Sequence, residues 1–499
     1  MKSPIKSLLS QTAAYGLSSI IGRLIGYFLV PLYTRLFLTN EFGVYTELQA
    51  YVAFLLVILT YGMETGFFRF SENSDTNKNS VYSTILTAVF FTSLGFAFLI
   101  YSFSFQIADL IGYSKNPEYV LLLGLTVAID SFSSIPFASL RLKRKAWKFV
   151  TIKLVNISVN VILNIFFLII LPKYFSSDNF FYRNIYNGID VGYIFISYFI
   201  TSIITLFLLI PEMSTAFKVF KFDFPLLKQI LKYSIPLLFA GLAGMISENL
   251  DKVLIKYLLT IPAHIIDAPA YVMSELGIYG ANVKIAVLMT LFIQAFRYAA
   301  EPFFFSYAKN ADAKVMYAKV MKFFIIFGLS VFLGITLLID FVKYIIDPSY
   351  HEGLKIVPVL LFGKIFFGIV FNLSIWYKLT NKTKYAVILA FVGAIVTIIL
   401  NIILVPIFGY LGAAWAAFFA YFAMMLLSYY YGNKHYYIEY DLKNIFIYLI
   451  IALLIYFLNL LLRYLIDYYI ILNILLLFSF FVFVLKKENF RLDTLKRNK

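Results

Sequence analysis

Cysteine is absent from this sequence, and charged residues are scarce. The 499 residues include three histidines, and charged side chains make up 14% of the chain. Without cysteine, disulfide bonds, thiolate nucleophiles and cysteine-ligated metals are excluded. The histidines fall in three different predicted loops, at His264, His351 and His435, so we expect no metal site built from them.

Long polar segments are also missing. The longest stretches between hydrophobic runs, 172–190 and 212–232, have about twenty residues each, which is too short to fold as an independent domain. The phosphate-binding pattern GxxxxGK does not occur, which excludes an ATP-hydrolysing motor of that type. We therefore predict a protein that is not an enzyme, needs no cofactor and acts within the membrane.

Hydrophobic residues dominate the sequence. They make up 62% of the chain, whereas a soluble domain has roughly 45–50%. We predict an all-α integral membrane protein with about 14 transmembrane helices, and we expect the first to be retained rather than cleaved as a signal peptide. The predicted spans are 11–33, 44–68, 82–105, 119–140, 149–171, 191–211, 233–259, 276–300, 320–340, 354–377, 385–407, 411–431, 445–463 and 468–485.

Lysine and arginine alternate between successive loops. With a cytoplasmic N-terminus, the loops on that side carry 28 of the 42 basic residues and the opposite loops carry 8. The positive-inside rule predicts this bias, and a missed helix would invert it. We therefore expect a multi-pass membrane protein with both termini in the cytoplasm. The net charge of +16 then indicates contact with anionic membrane lipids rather than with nucleic acid.

Short patterns recur within the chain. "EFGVY" at 41–45 leads into the second span, and "ELGIY" at 275–279 leads into the eighth. In the same way, "DVGYIF" at 190–195 opens the sixth span and "YLGAAW" at 410–415 opens the twelfth. In each pattern the glycine suits a turn at the entry to a helix, where a positive φ or a close approach of another backbone is needed. Six spans separate the equivalent positions in both cases.

An even number of spans per repeat makes the two repeats parallel. We predict two six-helix lobes, 1–218 and 219–432, related by a pseudo-two-fold axis along the membrane normal. A terminal helix pair and a basic cytoplasmic tail follow at 433–499. Two such lobes would enclose a central cleft and move a substrate by alternating access, which indicates a transporter.

Charged side chains inside the membrane are costly, and they usually face a partner or a water-filled cavity. When residues near the span ends, such as Lys256, are counted with the loops, six cations lie within the predicted spans. They outnumber the deep carboxylates, so the cleft would attract an anion. A phosphate or pyrophosphate group suits both arginine and lysine. Five of the cations are candidate anion-binding residues, the first two being preferred: Arg23, Lys284, Arg297, Lys153 and Lys364.

Four of these cations also have a structural interpretation. Arg23 would pair with a carboxylate for structure alone, and Lys153 and Lys364 would extend to an interface. Arg297 is placed to form an i,i+4 pair with Glu301 near the cytoplasmic end of the eighth span.

Four carboxylates lie deep in the predicted spans, at Glu64, Asp130, Glu248 and Asp251. We expect Glu248 and Lys252 to neutralise each other as an i,i+4 pair. Asp251 lacks such a partner and is therefore the better candidate for a proton or cation site. Glu64 would pair with Arg23 or bind a coupling cation. The cation-coupling candidates are thus Asp251, Glu64 and Glu248.

Several segments in this order resemble the oligosaccharide flippases of the multidrug/oligosaccharidyl-lipid/polysaccharide exporter superfamily, the Wzx-type or O-antigen transporter group. The resemblance covers most of the chain. The segments are "GRLIGYFLVPLYTRLFLTNEFGVY", "GMETGFFRF", "LRLKRKAWKF", "YSIPLLFAGLAGMISENLDKVLIKYLL", "ELGIYGANVKIA" and "FGYLGAAWA".

The resemblance implies a fourteen-helix, two-lobed carrier with a MATE-like fold. Such a carrier moves a polyprenyl-pyrophosphate-linked oligosaccharide from the inner to the outer leaflet, for export of a surface polysaccharide such as the O-antigen of lipopolysaccharide. It also implies H⁺ or Na⁺ coupling in some members, and polysaccharide polymerases and glycosyltransferases as partners. A cationic cavity in that group is thought to receive the pyrophosphate, and this role carries over first to Arg23 and Lys284.

Two other functions stay open. A multidrug or cation antiporter of the same superfamily would suit twelve spans and a carboxylate-dominated cavity better than this sequence does. A membrane-embedded polysaccharide polymerase or ligase would be expected to carry a large extracytoplasmic loop, and the predicted outer loops are all short. A scaffold protein would leave the charges inside the membrane unexplained.

Overall fold

The fold is built from helices. The computed structural model describes residues 26–72, 77–174, 190–218, 221–465 and 469–488, and no strand occurs in these ranges. Thirteen helical segments in them are long and apolar enough to cross a membrane. We number them span 2 to span 14: Thr39–Glu72, Lys78–Leu110, Pro117–Leu142, Ala146–Tyr174, Gly192–Ser214, Phe224–Leu258, Ala268–Tyr307, Ala313–Leu337, Pro348–Leu379, Lys384–Phe408, Tyr410–His435, Leu442–Arg463 and Ile470–Lys487.

Each of these thirteen segments overlaps one predicted span, so the prediction of an all-α membrane protein is confirmed. Most of the predicted first span, at 11–33, lies outside the described residues. A short helix, Leu29–Leu36, precedes span 2. Local caps fix two of the helix starts, because Asn77 and Asp223 accept backbone N–H groups of the first turns of spans 3 and 7.

Span 2 is interrupted at Tyr61 and Gly62, which both have positive φ, 31° and 71°. A Cβ atom at Gly62 would lie 2.7 Å from the carbonyl oxygen of Ser234 in span 7, so the close approach of the two helices requires glycine here. The helix then resumes, and Glu64 lies in its first turn.

Backbone contacts divide the chain into two compact units. The first is Met1–Gly280 with Gly393–Ala413, and the second is Ala281–Val392 with Ala414–Lys499. In the first unit, span 4 packs against spans 2, 3 and 6, and span 7 packs against span 2. In the second unit, span 9 packs against span 10 and against the terminal spans 13 and 14. The predicted lobes, with boundaries at 218 and 432, stay a prediction.

The predicted repeat recurs in two turns, at 139–145 and 376–382. In each turn the fifth, sixth and seventh residues donate backbone N–H groups to the carbonyls of the first, third and second. The sixth residue is left-handed in both, with φ of 55° at Arg144 and at Asn381. The turns read "SLRLKRK" and "WYKLTNK", so the geometry is retained although few residues are shared.

A further echo, which we did not identify from the sequence, is "ILNI" in spans 5 and 11. The asparagines of the two words, Asn164 and Asn401, are fully buried. Each donates a 2.8 Å hydrogen bond to the carbonyl four residues earlier in its helix. Equivalent helices of the two repeats therefore carry the same buried polar group.

The two copies of the first repeat word pack against each other within the first unit. A Cβ atom on Gly43 would lie 1.9 Å from the carbonyl oxygen of Met273, and one on Gly277 would lie 1.8 Å from that of Thr39. Met273 lies four residues before Gly277, and Thr39 lies four residues before Gly43. The two contacts are therefore related by a local two-fold axis. The hydroxyls of Thr39 and Ser274 are 2.6 Å apart at the same crossing.

Candidate substrate and coupling sites

The two preferred anion-binding residues of the sequence analysis are Arg23 and Lys284. Arg23 lies outside the described residues. Lys284 is half-buried in span 8 and belongs to the second unit. The binding role of both residues stays a prediction.

A carboxylate shared by two cations lies at the end of span 8 in the second unit. The Nζ atom of Lys378 is 2.6 Å from Oε1 of Glu301, and Nε of Arg297 is 3.6 Å from Oε2, as the i,i+4 spacing predicts. The Arg297 guanidinium also lies over the ring of Phe371, 4.8 Å from its centroid. Two positive charges against one negative charge leave this group with a net positive charge.

A small cavity adjoins the shared carboxylate. Its volume is about 20 Å³, and it is lined by Arg297, Glu301 and Lys378, by Asn372, and by apolar side chains such as Phe296. That volume admits a single water, which would satisfy the buried Oδ1 atom of Asn372. A larger anion would contact Arg297 from outside, since about half of that side chain is exposed.

Span 10 presents cations and aromatic rings on one helical face. Lys364 lies 5.4 Å from the ring centroid of Phe367, and that ring is 4.8 Å from Phe371, over which Arg297 sits. Lys364 also donates a 3.4 Å hydrogen bond to the hydroxyl of Tyr421. In the part of the chain that the structure describes, no carboxylate pairs with Lys364. The face therefore carries positive charge both at mid-span and at its end.

The first unit has a different charge group, around Lys153. Glu64 forms an ion pair with Arg141, a partner that we did not predict for it. The Lys153 ammonium lies 4.2 Å from the ring centroid of Phe137 and interacts electrostatically with Asp130, Arg141 and Glu64. Two cations face two carboxylates here, so the group is balanced and is less suited to an anion than the group around Glu301.

The ion pairs in the two units are equivalent. Glu64 and Arg141 are 77 residues apart, and so are Glu301 and Lys378. Both cations are the third residue of the matching turns described above. A pair that recurs in both repeats at the same place indicates a structural role, and Arg297 is the additional cation that the second repeat brings to it.

Asp251 is buried, with 7% exposure, but it is not isolated. Its carboxylate accepts a hydrogen bond from Tyr279 and lies 3.2 Å from the Lys252 ammonium. The same ammonium donates to the backbone carbonyl of Glu248 at 2.8 Å. The expectation that Lys252 and the Glu248 carboxylate neutralise each other is therefore wrong, because the adjacent carboxylate takes the lysine. The coupling roles of Asp251, Glu248 and Glu64 stay predictions.

The structure also brings together a polar cluster that we did not predict. Glu47 of span 2 is fully buried, and both its carboxylate oxygens lie 3.0 Å from the ammonium of Lys256 in span 7. Tyr51 and Tyr113 donate hydrogen bonds to the same carboxylate. Burial and the Glu47 carboxylate raise the pKa of Tyr113, which lies in the loop after span 3, well above its ordinary value of 10.0.

One signal in the sequence could have revealed this cluster. Glu47 is a carboxylate in an otherwise apolar run, as Glu64 is, but it lies near a predicted span end, where solvation is the ordinary outcome. Lys256 was assigned to an outer loop for the same reason. The aromatic residues around both, such as Tyr51, are what keep this region out of water.

Residues 8–308, more than half of the chain, match the family described as "Polysaccharide biosynthesis protein". The chain belongs to that family. A curated relative is an uncharacterized membrane protein, MJ1068, of Methanocaldococcus jannaschii, with 30% identity over 96 residues. That match covers 19% of this chain and 18% of the relative, so the two share only a short stretch.

Solved structures with the same fold include the lipid II flippase MurJ in an inward closed conformation. It aligns with a TM-score of 0.71 and 17% identity over 95% of this chain and 99% of that one. An inward-facing multidrug resistance MATE transporter of the MOP superfamily aligns at 0.62, with 14% identity over 85% and 94% of the two chains. These alignments show that the fold is shared. The family match confirms the resemblance found in the sequence at the level of the family.

Proposed function

We propose that this polysaccharide biosynthesis protein is a flippase for a polyprenyl-pyrophosphate-linked oligosaccharide. The headgroup would pass from the inner to the outer leaflet of the bacterial cytoplasmic membrane by alternating access of two lobes. Glycosyltransferases would complete the substrate on the cytoplasmic side, and a polymerase would use it outside. Both termini would be cytoplasmic, in agreement with the charge bias of the loops.

The observation that carries this proposal is the surplus of positive charge around Glu301. Arg297 and Lys378 share that single carboxylate, and Lys364 adds a further cation on the same face of span 10. Lys364 and Lys378 are 14 residues apart, roughly 21 Å along a helix. An anionic headgroup that moves along this face would find a cation at both positions, which a cationic drug would not require.

Transport would be coupled to the entry of a proton or Na⁺. Asp251 is our preferred site, because it is buried and its Tyr279 hydroxyl donor would still hydrogen-bond the carboxyl group after a proton or Na⁺ binds. Binding of the cation would then compete with Lys252. Substitution Asp251→Asn should abolish any dependence of transport on the ion gradient, whereas Lys252→Gln should weaken the competition and retain the dependence.

The functional assay depletes the protein from cells and measures in which leaflet the lipid-linked oligosaccharide accumulates. Complete repeat units that are reachable only from the cytoplasmic face would support flipping. Units that appear outside but unpolymerised would instead favour a polymerase or ligase. Unchanged precursors with increased sensitivity to cationic drugs would favour the multidrug antiporter, and either result would overturn the proposal.

The anion-binding group has its own test. Arg297→Gln should cause accumulation of inner-leaflet precursor at equal protein level, since it removes the surplus charge and leaves the Glu301–Lys378 pair intact. The matched control is Lys355→Gln, which removes an exposed cation 3.1 Å from Glu352. Equal transport by both variants would remove Arg297 from the substrate path without contradicting the flippase function.

A further inference from the structure

Three lysines converge on one buried carboxylate in the first unit, at the turn that also carries Arg141. Glu212, at the end of span 6, is 2% exposed and lies 3.3, 3.0 and 2.9 Å from the ammonium groups of Lys143, Lys145 and Lys148. Its backbone carbonyl accepts a hydrogen bond from Tyr82. The carboxylate is thus fixed in place and holds the three lysines together between spans 4 and 5.

The resulting surface has more positive charge than its carboxylate can neutralise. Each of the three lysine side chains keeps more than a third of its surface exposed, whereas the carboxylate is covered. Arg144, in the left-handed position of the turn, is exposed beside them. Because Lys145 and Lys148 bond the same oxygen of Glu212, their nitrogens are near enough for one phosphate group to contact both.

The equivalent turn of the second repeat lacks this arrangement. Lys382 takes the place of Lys145, and its ammonium lies 2.9 Å from the ring nitrogen Nδ1 of His435. Tyr385 bonds the other ring nitrogen. The lysine of this turn contacts a histidine instead of a buried carboxylate, so lysines held around a carboxylate are not a requirement of the turn itself.

The position of Trp147 relates the lysine cluster to the bilayer. Trp147 is the second residue of span 5, is 80% exposed and lies between Lys145 and Lys148 in the sequence. Tryptophan at the end of a membrane span belongs at headgroup depth. The distribution of basic residues assigns this end of spans 4, 5 and 6 to the cytoplasmic side, where anionic lipids are concentrated.

We propose that the lysine cluster formed by Lys143, Lys145 and Lys148 around Glu212 binds the phosphate of an anionic phospholipid headgroup of the cytoplasmic leaflet. The ammonium groups contact the phosphate, Glu212 holds their spacing, and Trp147 packs against the adjoining glycerol and acyl chain. This binding site is separate from the transported substrate and does not depend on the proposed function.

The test uses the intact protein in phosphatidylcholine vesicles that contain brominated lipid, which quenches nearby tryptophan. The contribution of Trp147 is the quenching that disappears in Trp147→Phe. We expect brominated phosphatidylglycerol to be enriched at Trp147 by about fivefold over brominated phosphatidylcholine at the same mole fraction. This factor corresponds to the attraction of about 1 kcal/mol between one basic residue and an anionic membrane surface. The variant Lys143→Gln/Lys145→Gln/Lys148→Gln should lose this preference.

Two further variants serve as a substitute for the triple variant and as a control. Lys145→Gln/Lys148→Gln serves if the triple variant does not reconstitute, and Lys382→Gln, in the equivalent turn, should retain the full preference. Equal quenching by the two brominated lipids, or a preference that survives loss of the lysines, would overturn the proposal. Displacement of the brominated lipid by a polyprenyl diphosphate more effectively than by phosphatidylglycerol would also overturn it, since the site would then belong to the substrate.

Discussion

The substitution Lys256→Met tests how the buried ion pair between spans 2 and 7 contributes to stability. The lysine ammonium lies 3.0 Å from both oxygens of Glu47, and that carboxylate is fully buried. Methionine fills much of the same volume but provides no charge. The carboxylate would then retain only the hydroxyl donors of Tyr51 and Tyr113.

The size of the effect follows from the geometry. Two opposite charges about 3 Å apart attract by roughly 5–6 kcal/mol at an effective dielectric constant of about 20. The desolvation of both groups offsets part of this attraction, and removing one partner from a buried pair costs about 3–5 kcal/mol. We expect Lys256→Met to lower the free energy of unfolding by that amount. The double variant Glu47→Gln/Lys256→Met should lose less, because no unpaired charge stays buried.

The assay is denaturant unfolding of the purified protein in detergent micelles, followed by helical circular dichroism. Lys355→Met is the matched control, since it removes a lysine 3.1 Å from an exposed carboxylate and should cost less than about 1 kcal/mol. The reasoning is refuted if Lys256→Met costs no more than this control. It is also refuted if the double variant is as unstable as the single one.

Three more outcomes follow from the described geometry. Gly43→Val should lower the free energy of unfolding by about 1–3 kcal/mol or more, because its Cβ atom would overlap a carbonyl of span 8, whereas Gly95→Val, with open space around it, should cost less. Thr39→Cys/Ser274→Cys should form a disulfide under oxidation in this otherwise cysteine-free chain and stop transport until reductant is added; unchanged transport would show that this crossing does not open. Burial and the nearby carboxylate raise the pKa of Tyr113, so the folded protein keeps the hydroxyl proton that the unfolded chain releases above about pH 10. The stability contributed by the protonated hydroxyl is therefore complete below about pH 10 and decreases as the pH rises further. A Tyr113→Phe variant should lose less stability between pH 9 and 11, measured in the same unfolding assay.

The membrane spans were predictable because each is encoded by a local property. A run of about 20 apolar residues gives a span, and the alternation of lysine and arginine gives its direction, without knowledge of the neighbouring helices. The break at Tyr61 and Gly62 was not predicted, because its cause is the carbonyl of Ser234, which is distant in the sequence. The two-unit division likewise depends on contacts that no local pattern records.

Charge partners were predictable only within a turn of helix. The Arg297–Glu301 pair followed from i,i+4 spacing. For Glu64 we predicted either a pair with Arg23 or a coupling cation, and it pairs with Arg141, 77 residues away. Spacing also failed at Lys252, because a long side chain can fold back to the adjacent Asp251. Which of several distant charges meets a carboxylate depends on helix packing, and local spacing in the sequence does not contain that information.

The repeat separates structural charges from candidate functional ones. The pairs Glu64–Arg141 and Glu301–Lys378 recur at the same place in matching turns, so a role in bracing spans 2 with 4 and 8 with 10 explains both. That role requires one cation per carboxylate. Arg297 exceeds this requirement, and an exposed charge on a membrane-spanning helix is costly unless it has a use. The second repeat has an additional cation, Arg297, at the ion pair that both repeats share. This difference between the repeats, rather than the total number of cations, is the stronger reason to propose substrate binding at Arg297.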